Sequence, residues 1–156
     1  DQISGVRALC ESLPWIDPAR AGIWGWSYGG YMTAMALLRA PEVFRAGVAV
    51  APVVDWRGYD THYTERYLGL PSENAAGYDS SSVLAHVPGP SGHLTLIHGT
   101  TDDNVHFRES MLLVRALIQD GKLFDLMVYP GTHMLESNQE RLHLYERVWR
   151  AFATRL

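Results

Sequence analysis

Residues 21–29 read Ala21-Gly22-Ile23-Trp24-Gly25-Trp26-Ser27-Tyr28-Gly29. The first six form a short apolar run bounded by turn residues, the pattern of a buried strand. Tyr28 to Ala40 is rich in Ala, Met and Leu and predicts a buried helix. A serine set as Gly-x-Ser-x-Gly between a strand and a helix is the context of a nucleophile elbow. In that turn Ser27 is held in a strained conformation with its hydroxyl exposed. Gly25 and Gly29 let strand and helix approach closely, and the backbone N–H of Tyr28 points at a developing oxyanion.

Working outward, the same alternation repeats. Ala46–Ala51 is a second apolar strand, ended by Pro52. His93–His98 is a third and Phe124–Tyr129 a fourth, ended by Pro130-Gly131. Phe107–Asp120 is an amphipathic helix closed by Gly121. Ser137–Phe152 is the last helix, with Ser137 as N-cap and Glu140 completing a capping box. Upstream, Ile3, Val6, Leu9 and Cys10 recur at helical spacing. Residues 53–92 read as irregular, dense in Tyr, Ser, Gly and Pro, with one short helix near Tyr63–Leu68. Strands alternating with helices predict a mostly parallel sheet of about four strands, with flanking helices and right-handed crossovers. Active sites in such sheets lie at the carboxyl ends of the strands.

Composition narrows the function classes. The chain has 156 residues, 47% of them apolar and 19% charged, with a net charge of −4. That suits one globular domain, and it supplies no electrostatic basis for binding nucleic acid or anionic lipid. No apolar run reaches the ~18 residues of a membrane span. The single Cys10 excludes an internal disulfide and a paired-cysteine zinc site. No His-Glu-x-x-His or similar ligand spacing appears, so neither metal nor other cofactor is expected. The absence of an initiator Met and of a targeting segment leaves the compartment open, cytoplasmic or periplasmic, and a chain that starts inside a helix is expected to be part of something longer.

A serine nucleophile needs a base, and the base needs an orienting carboxylate. The loop after the third strand reads His98-Gly99-Thr100-Thr101-Asp102-Asp103-Asn104-Val105, and that after the fourth Tyr129-Pro130-Gly131-Thr132-His133. Both belong to the strand edge that carries Ser27. Asp102 is the candidate acid and His133 the candidate base; Asp103 reads as a solvated or loop-structuring carboxylate. His98 and His106 read as shaping their loop, and His62, His86, His93 and His143 as structural. Trp56, Tyr59, Tyr63 and Tyr67 read either as packing beneath a long loop or as the walls of an apolar pocket.

With these residues in view, the sequence resembles the prolyl oligopeptidase family of serine peptidases, in its dipeptidyl peptidase IV branch. The resemblance rests on Gly25-Trp26-Ser27-Tyr28-Gly29-Gly30-Tyr31, on Ala51-Pro52-Val53 with Trp56, Tyr59 and Tyr63-Thr64-Glu65-Arg66-Tyr67, and on His98 through Phe107. It implies an α/β-hydrolase fold and a triad of Ser27, Asp102 and His133, with Tyr28 N–H as an oxyanion donor. It implies that Val53, Trp56, Tyr59, Tyr63 and Val105 line the pocket for the penultimate substrate residue, favouring proline or alanine. Asn104 would hydrogen-bond the substrate carbonyl. The expected reaction is release of N-terminal dipeptides from a peptide substrate. A carboxylesterase or acylaminoacyl-type hydrolase of the same fold, and a non-catalytic scaffold, remain alternatives.

The sequence departs from the family pattern at Met134, where a Gly usually follows the triad His. Intact members also carry an upstream β-propeller with a glutamate pair, and a first half of the sheet with an oxyanion-hole tyrosine. The 26 residues before Ser27 cannot hold these. The expectation is therefore a truncated α/β-hydrolase fold, residues 1–156 being the C-terminal portion of a catalytic domain. Alone it should turn over slowly, since one missing oxyanion donor costs roughly 10²–10³ in rate. The first strand would then be an unprotected apolar edge, from which a homodimer is expected.

Overall fold

The computed structural model describes residues 1–89 and 91–156. Its helices are α1 (Gln2–Ser12), α2 (Tyr28–Arg39), α3 (Thr61–Leu68), α4 (Ala75–Ser81), α5 (Arg108–Gln119) and α6 (Asn138–Arg155). Its strands are β1 (Gly22–Trp26), β2 (Ala46–Val50), β3 (His93–Gly99) and β4 (Phe124–Tyr129). The strands form one parallel sheet in the order β1-β2-β3-β4. Chain order and spatial order coincide, so each crossover helix spans only neighbouring strands. This is the α/β architecture expected of the sequence.

Side chains alternate across the sheet and build a core on each face. On one side Ala49, Leu94 and Leu96 pack with Leu37 of α2 and with Leu113 and Leu117 of α5. On the other, Val48, Val50 and Ile97 pack with Leu144 and Val148 of α6. Strand β2 is buried along its whole length, which accounts for its continuous Ala-Gly-Val-Ala-Val run. Gly47 lets α2 come close: a Cβ there would sit 3.2 Å from the side chains of Leu37 and Thr33. Helix α6 starts at the expected capping box, in which Glu140 N–H donates to Ser137 Oγ and Ser137 N–H to Glu140 Oε2.

Residues 53–89 are more ordered than their composition suggests. Besides α3 they hold α4 and single 3₁₀ turns at Trp56–Gly58 and Val83–His86. Local caps build them: Asp60 accepts from Tyr63 N–H, Asn74 from Gly77 N–H, and Asp55 from Arg57 N–H. Helix α3 is the short helix read near Tyr63–Leu68, begun two residues earlier, and it buries only Thr64. Among the described residues no helix is long and apolar enough to cross a membrane.

Strand β1 is an edge of this sheet. Beside it Trp24 meets Tyr145 of α6 edge-on, and Trp15, Tyr145 and Trp149 are exposed.

Candidate active site

The turn from β1 into α2 carries Ser27 at φ 59° and ψ −116°. A non-glycine residue there is strained, at a cost of order 1–3 kcal/mol. The surroundings hold it: Ser27 N–H donates to Val50 O at 2.8 Å, and Ser27 O accepts from Tyr31 N–H at 3.0 Å. Gly25 is required, because a Cβ there would lie 2.5 Å from the backbone of Gly29. Gly29 is not required in the same way, since a Cβ on it meets nothing within 4 Å. Gly30 is the second tight position: its Cβ would meet Val50 O at 2.5 Å. The close approach of strand and helix therefore rests on Gly25 and Gly30. Tyr28 N–H lies in the first turn of α2, ahead of the first intrahelical bond, and so is available to an anion.

The loop after β3 is organised around Asp102, which is 4% exposed. Its Oδ1 accepts from Asn104 N–H at 3.0 Å and Val105 N–H at 2.9 Å. Its Oδ2 faces His133 Nδ1 at 2.7 Å and His98 Nε2 at 3.2 Å. With Nδ1–H donating to Asp102, His133 carries its lone pair on Nε2, the tautomer a general base needs. Neighbouring Asp103 is exposed at the rim of a polar groove. Trp26, one residue before Ser27, donates its indole N–H to His133 O at 2.9 Å. The serine turn and the histidine loop are thereby tied together, although no hydrogen bond joins Ser27 Oγ to His133.

Trp26 is a positioning group that the motif reading did not single out, while His98, read from the sequence as shaping its loop, bonds to both ends of it. His98 Nδ1 lies 2.7 Å from Ser110 Oγ, while Nε2 lies 2.8 Å from Val105 O. The carbonyl can only accept, so the ring proton is on Nε2 and Ser110 donates to Nδ1. Burial holds the His98 pKa below its usual value, with the Val105 carbonyl and Asp102 opposing part of that shift.

An apolar cavity of about 400 Å³ opens beside the serine turn, walled chiefly by Tyr28, Tyr31, Trp56, Tyr63, Tyr67 and Leu68. Trp56 is its hub: Tyr63 stacks on it at 6.0 Å, and Tyr31 and Tyr59 meet it edge-on at 5.1 and 5.8 Å. Of the other candidate pocket residues, Tyr59 and Asn104 line the adjoining polar groove, and Val53 and Val105 lie buried in the core. Tyr59 O–H donates to Asn104 Oδ1 at 2.8 Å, leaving the Asn104 amide N–H groups free. Burial, and then Asp60, push the Tyr59 phenol pKa up, so that it remains a donor. The remaining histidines are placed elsewhere: His93 pairs with Asp125, His143 with Tyr129 and His86 with Ser80 O, while His62 and His106 are exposed. Among the described residues no three His, Cys, Asp or Glu side chains converge on a metal position.

A serine on a strained turn, a buried carboxylate–imidazole pair beside it and an aromatic slot together suit acyl transfer. The model of the prolyl oligopeptidase family matches residues 1–156. Venom dipeptidyl peptidase 4 of Apis mellifera is 44% identical over 155 residues, covering 96% of this chain and 20% of that protein. Dipeptidyl peptidase 8 of Homo sapiens is 44% identical over 133 residues, covering 83% of this chain and 15% of that one. The crystal structure of Porphyromonas gingivalis dipeptidyl peptidase 4 superposes with a TM-score of 0.95 at 46% identity, over all of this chain and 22% of that one. The chain thus spans about a fifth of the length of its dipeptidyl peptidase 4 relatives, and it belongs to the prolyl oligopeptidase family.

Proposed function

We propose that this chain is the C-terminal portion of the catalytic domain of a serine exopeptidase that releases N-terminal dipeptides with proline or alanine in second position. Ser27 Oγ attacks the carbonyl carbon of the second residue while His133 Nε2 takes the hydroxyl proton. The oxyanion is met by Tyr28 N–H, and the imidazolium is stabilised by Asp102. Collapse of the tetrahedral adduct breaks the C–N bond, and His133 returns the proton to the leaving amine. Water repeats the cycle and frees the dipeptide. Trp56 and Tyr63 wall the pocket for the second residue, and Asn104 donates to a substrate carbonyl. A proline ring has no N–H to strand there, so aromatic walls bury it at no polar cost.

One observation carries the reading. Asp102 Oδ2 and His133 Nδ1, on the loops after β3 and β4, lie 2.7 Å apart, and Trp26 ties the His133 loop to the serine turn. The test uses the full-length protein with a serine-directed phosphonate, a Gly-Pro amide and a simple ester. Labelling that disappears in Ser27→Ala, with preference for the Gly-Pro amide, is expected. Preference for the ester selects the carboxylesterase reading, and no labelling at all selects the scaffold.

A further inference from the structure

The acyl-transfer scheme leaves one buried carboxylate without a task. Glu109, the second residue of α5, is 2% exposed. It reaches the loop that carries Trp56: its Oε2 accepts from Val54 N–H at 3.0 Å and from Asp55 N–H at 2.8 Å. Strand β2 has ended at Val50, so these two N–H groups have no strand partner. A buried backbone N–H without an acceptor costs about 1–3 kcal/mol, and a carboxylate serves two at once with charge-assisted bonds. Gly58, at the far end of the same turn, leaves room for the carboxylate; a Cβ there would stand 2.3 Å from Glu109 Oε1.

The turn held in this way is the aromatic wall. Trp56 follows Asp55 directly and is 7% exposed. Its ring is in contact with Tyr28, Tyr31, Tyr59 and Tyr63. Asp55 caps the Trp56–Gly58 turn through Arg57 N–H from one side, and Glu109 grips the same segment from the other.

We propose that Glu109 is a positioning residue for substrate selection. It sets the depth of the slot for the second substrate residue by fixing the backbone before Trp56, and it takes no part in proton transfer. This rests on the peptidase reading above. The test compares Glu109→Ala, Glu109→Gln and Gly58→Ala in the full-length protein. The readouts are KM and kcat on Gly-Pro and Gly-Phe amides, and amide hydrogen exchange at Val54 and Asp55.

Glu109→Ala is expected to raise KM for the Gly-Pro amide about 5–10-fold with kcat within about twofold, to narrow the preference over Gly-Phe, and to speed exchange at both amides. Glu109→Gln keeps an acceptor at the same place and should restore KM to within about twofold of wild type. Gly58→Ala should reproduce the KM rise, and the double variant with Glu109→Ala should be no worse than either single one. If Glu109→Ala does not fold, Gly58→Ala and Glu109→Gln carry the same comparison. Unchanged KM, preference and exchange in a folded, active variant would overturn the proposal, as would a loss confined to kcat. A wild type that cleaves no dipeptide amide while Glu109→Ala still speeds exchange overturns the peptidase reading and the selectivity claim with it, and leaves the backbone brace in place.

Discussion

Trp26 and His133 are 107 residues apart in sequence and joined by one hydrogen bond, from the indole N–H of the first to the main-chain carbonyl of the second. The variable position of the serine motif is thus occupied by a residue that seats the loop of the candidate base. Replacing Trp26 by Phe keeps the ring and removes the donor. A bond of this kind is worth about 0.5–1.5 kcal/mol, so kcat on a Gly-Pro amide should fall up to about tenfold with little change in KM. An unchanged kcat would show that the His133 loop is held without Trp26.

Asp102 and Asp103 should separate sharply. Asp102 accepts from four donors, whereas Asp103 faces solvent. Asp102→Asn should cost on the order of 10⁴ in kcat, because an amide cannot hold the same tautomer of His133. Asp103→Asn should stay within about threefold of wild type. Steady-state rates on one amide substrate decide it, and equal losses would contradict the assignment.

Tyr59→Phe probes the polar groove. It removes the hydroxyl that engages Asn104 Oδ1 and frees the amide to turn. KM should rise about 2–10-fold, with the Asn104→Ala variant showing the larger rise and the double variant matching Asn104→Ala. Additive losses would mean that the two residues act independently.

The pH dependence of folding follows from His98. Burial lowers its pKa in the folded chain, so the unfolded chain binds the proton more readily. Stability from this group is therefore complete above its unfolded value of about 6.5 and is lost as pH falls below that value. Asp102 and His133 face the same ring and act in opposite senses on it. Thermal unfolding between about pH 7.5 and 5.5 should show a declining midpoint for wild type and a flatter profile for His98→Gln. Parallel profiles would assign the decline to other groups.

Expressed alone, the 156-residue chain should self-associate. Its β1 edge is unpaired, and Trp24, Tyr145 and Trp149 form an exposed aromatic face beside it. Such an edge and face are templates for a second copy, most simply in a two-fold dimer. Light scattering at micromolar concentration gives the answer, and a stable 17.5 kDa monomer would falsify the idea.

Much of this architecture was legible because local pattern and burial coincide. Phe124–Tyr129 is a strand both by pattern and in the structure, and the Ser137–Glu140 box marks the start of α6. The chain order Ser27, Asp102, His133 indicated which strand ends bring these residues to one edge. In residues 53–92 the short helix α3 was read, near Tyr63–Leu68, but α4 was not, since it is held by the Asn74 cap and buries only Tyr78, with no apolar stripe to show. Glu109 was illegible for a related reason: on an amphipathic helix a glutamate reads as a solvent-facing residue, and only the return of the Val54–Asp55 backbone buries it. Trp26 reads as strand core, and its acceptor lies on the last strand's loop, out of reach of any window.

Because the strands lie in the sheet in the order in which they occur in the chain, the candidate site would also be assembled in time. A ribosome adds roughly 5–20 residues per second, so the 107 residues between Trp26 and His133 represent about 5–20 s of synthesis. From the synthesis of Val50 onward, Ser27 and the acceptor that holds its turn would be present without the candidate base His133. A nascent chain would thus lack the candidate acid–base pair until the loop after β4 emerged, and a message truncated before that point would yield a product that carries Ser27 without it.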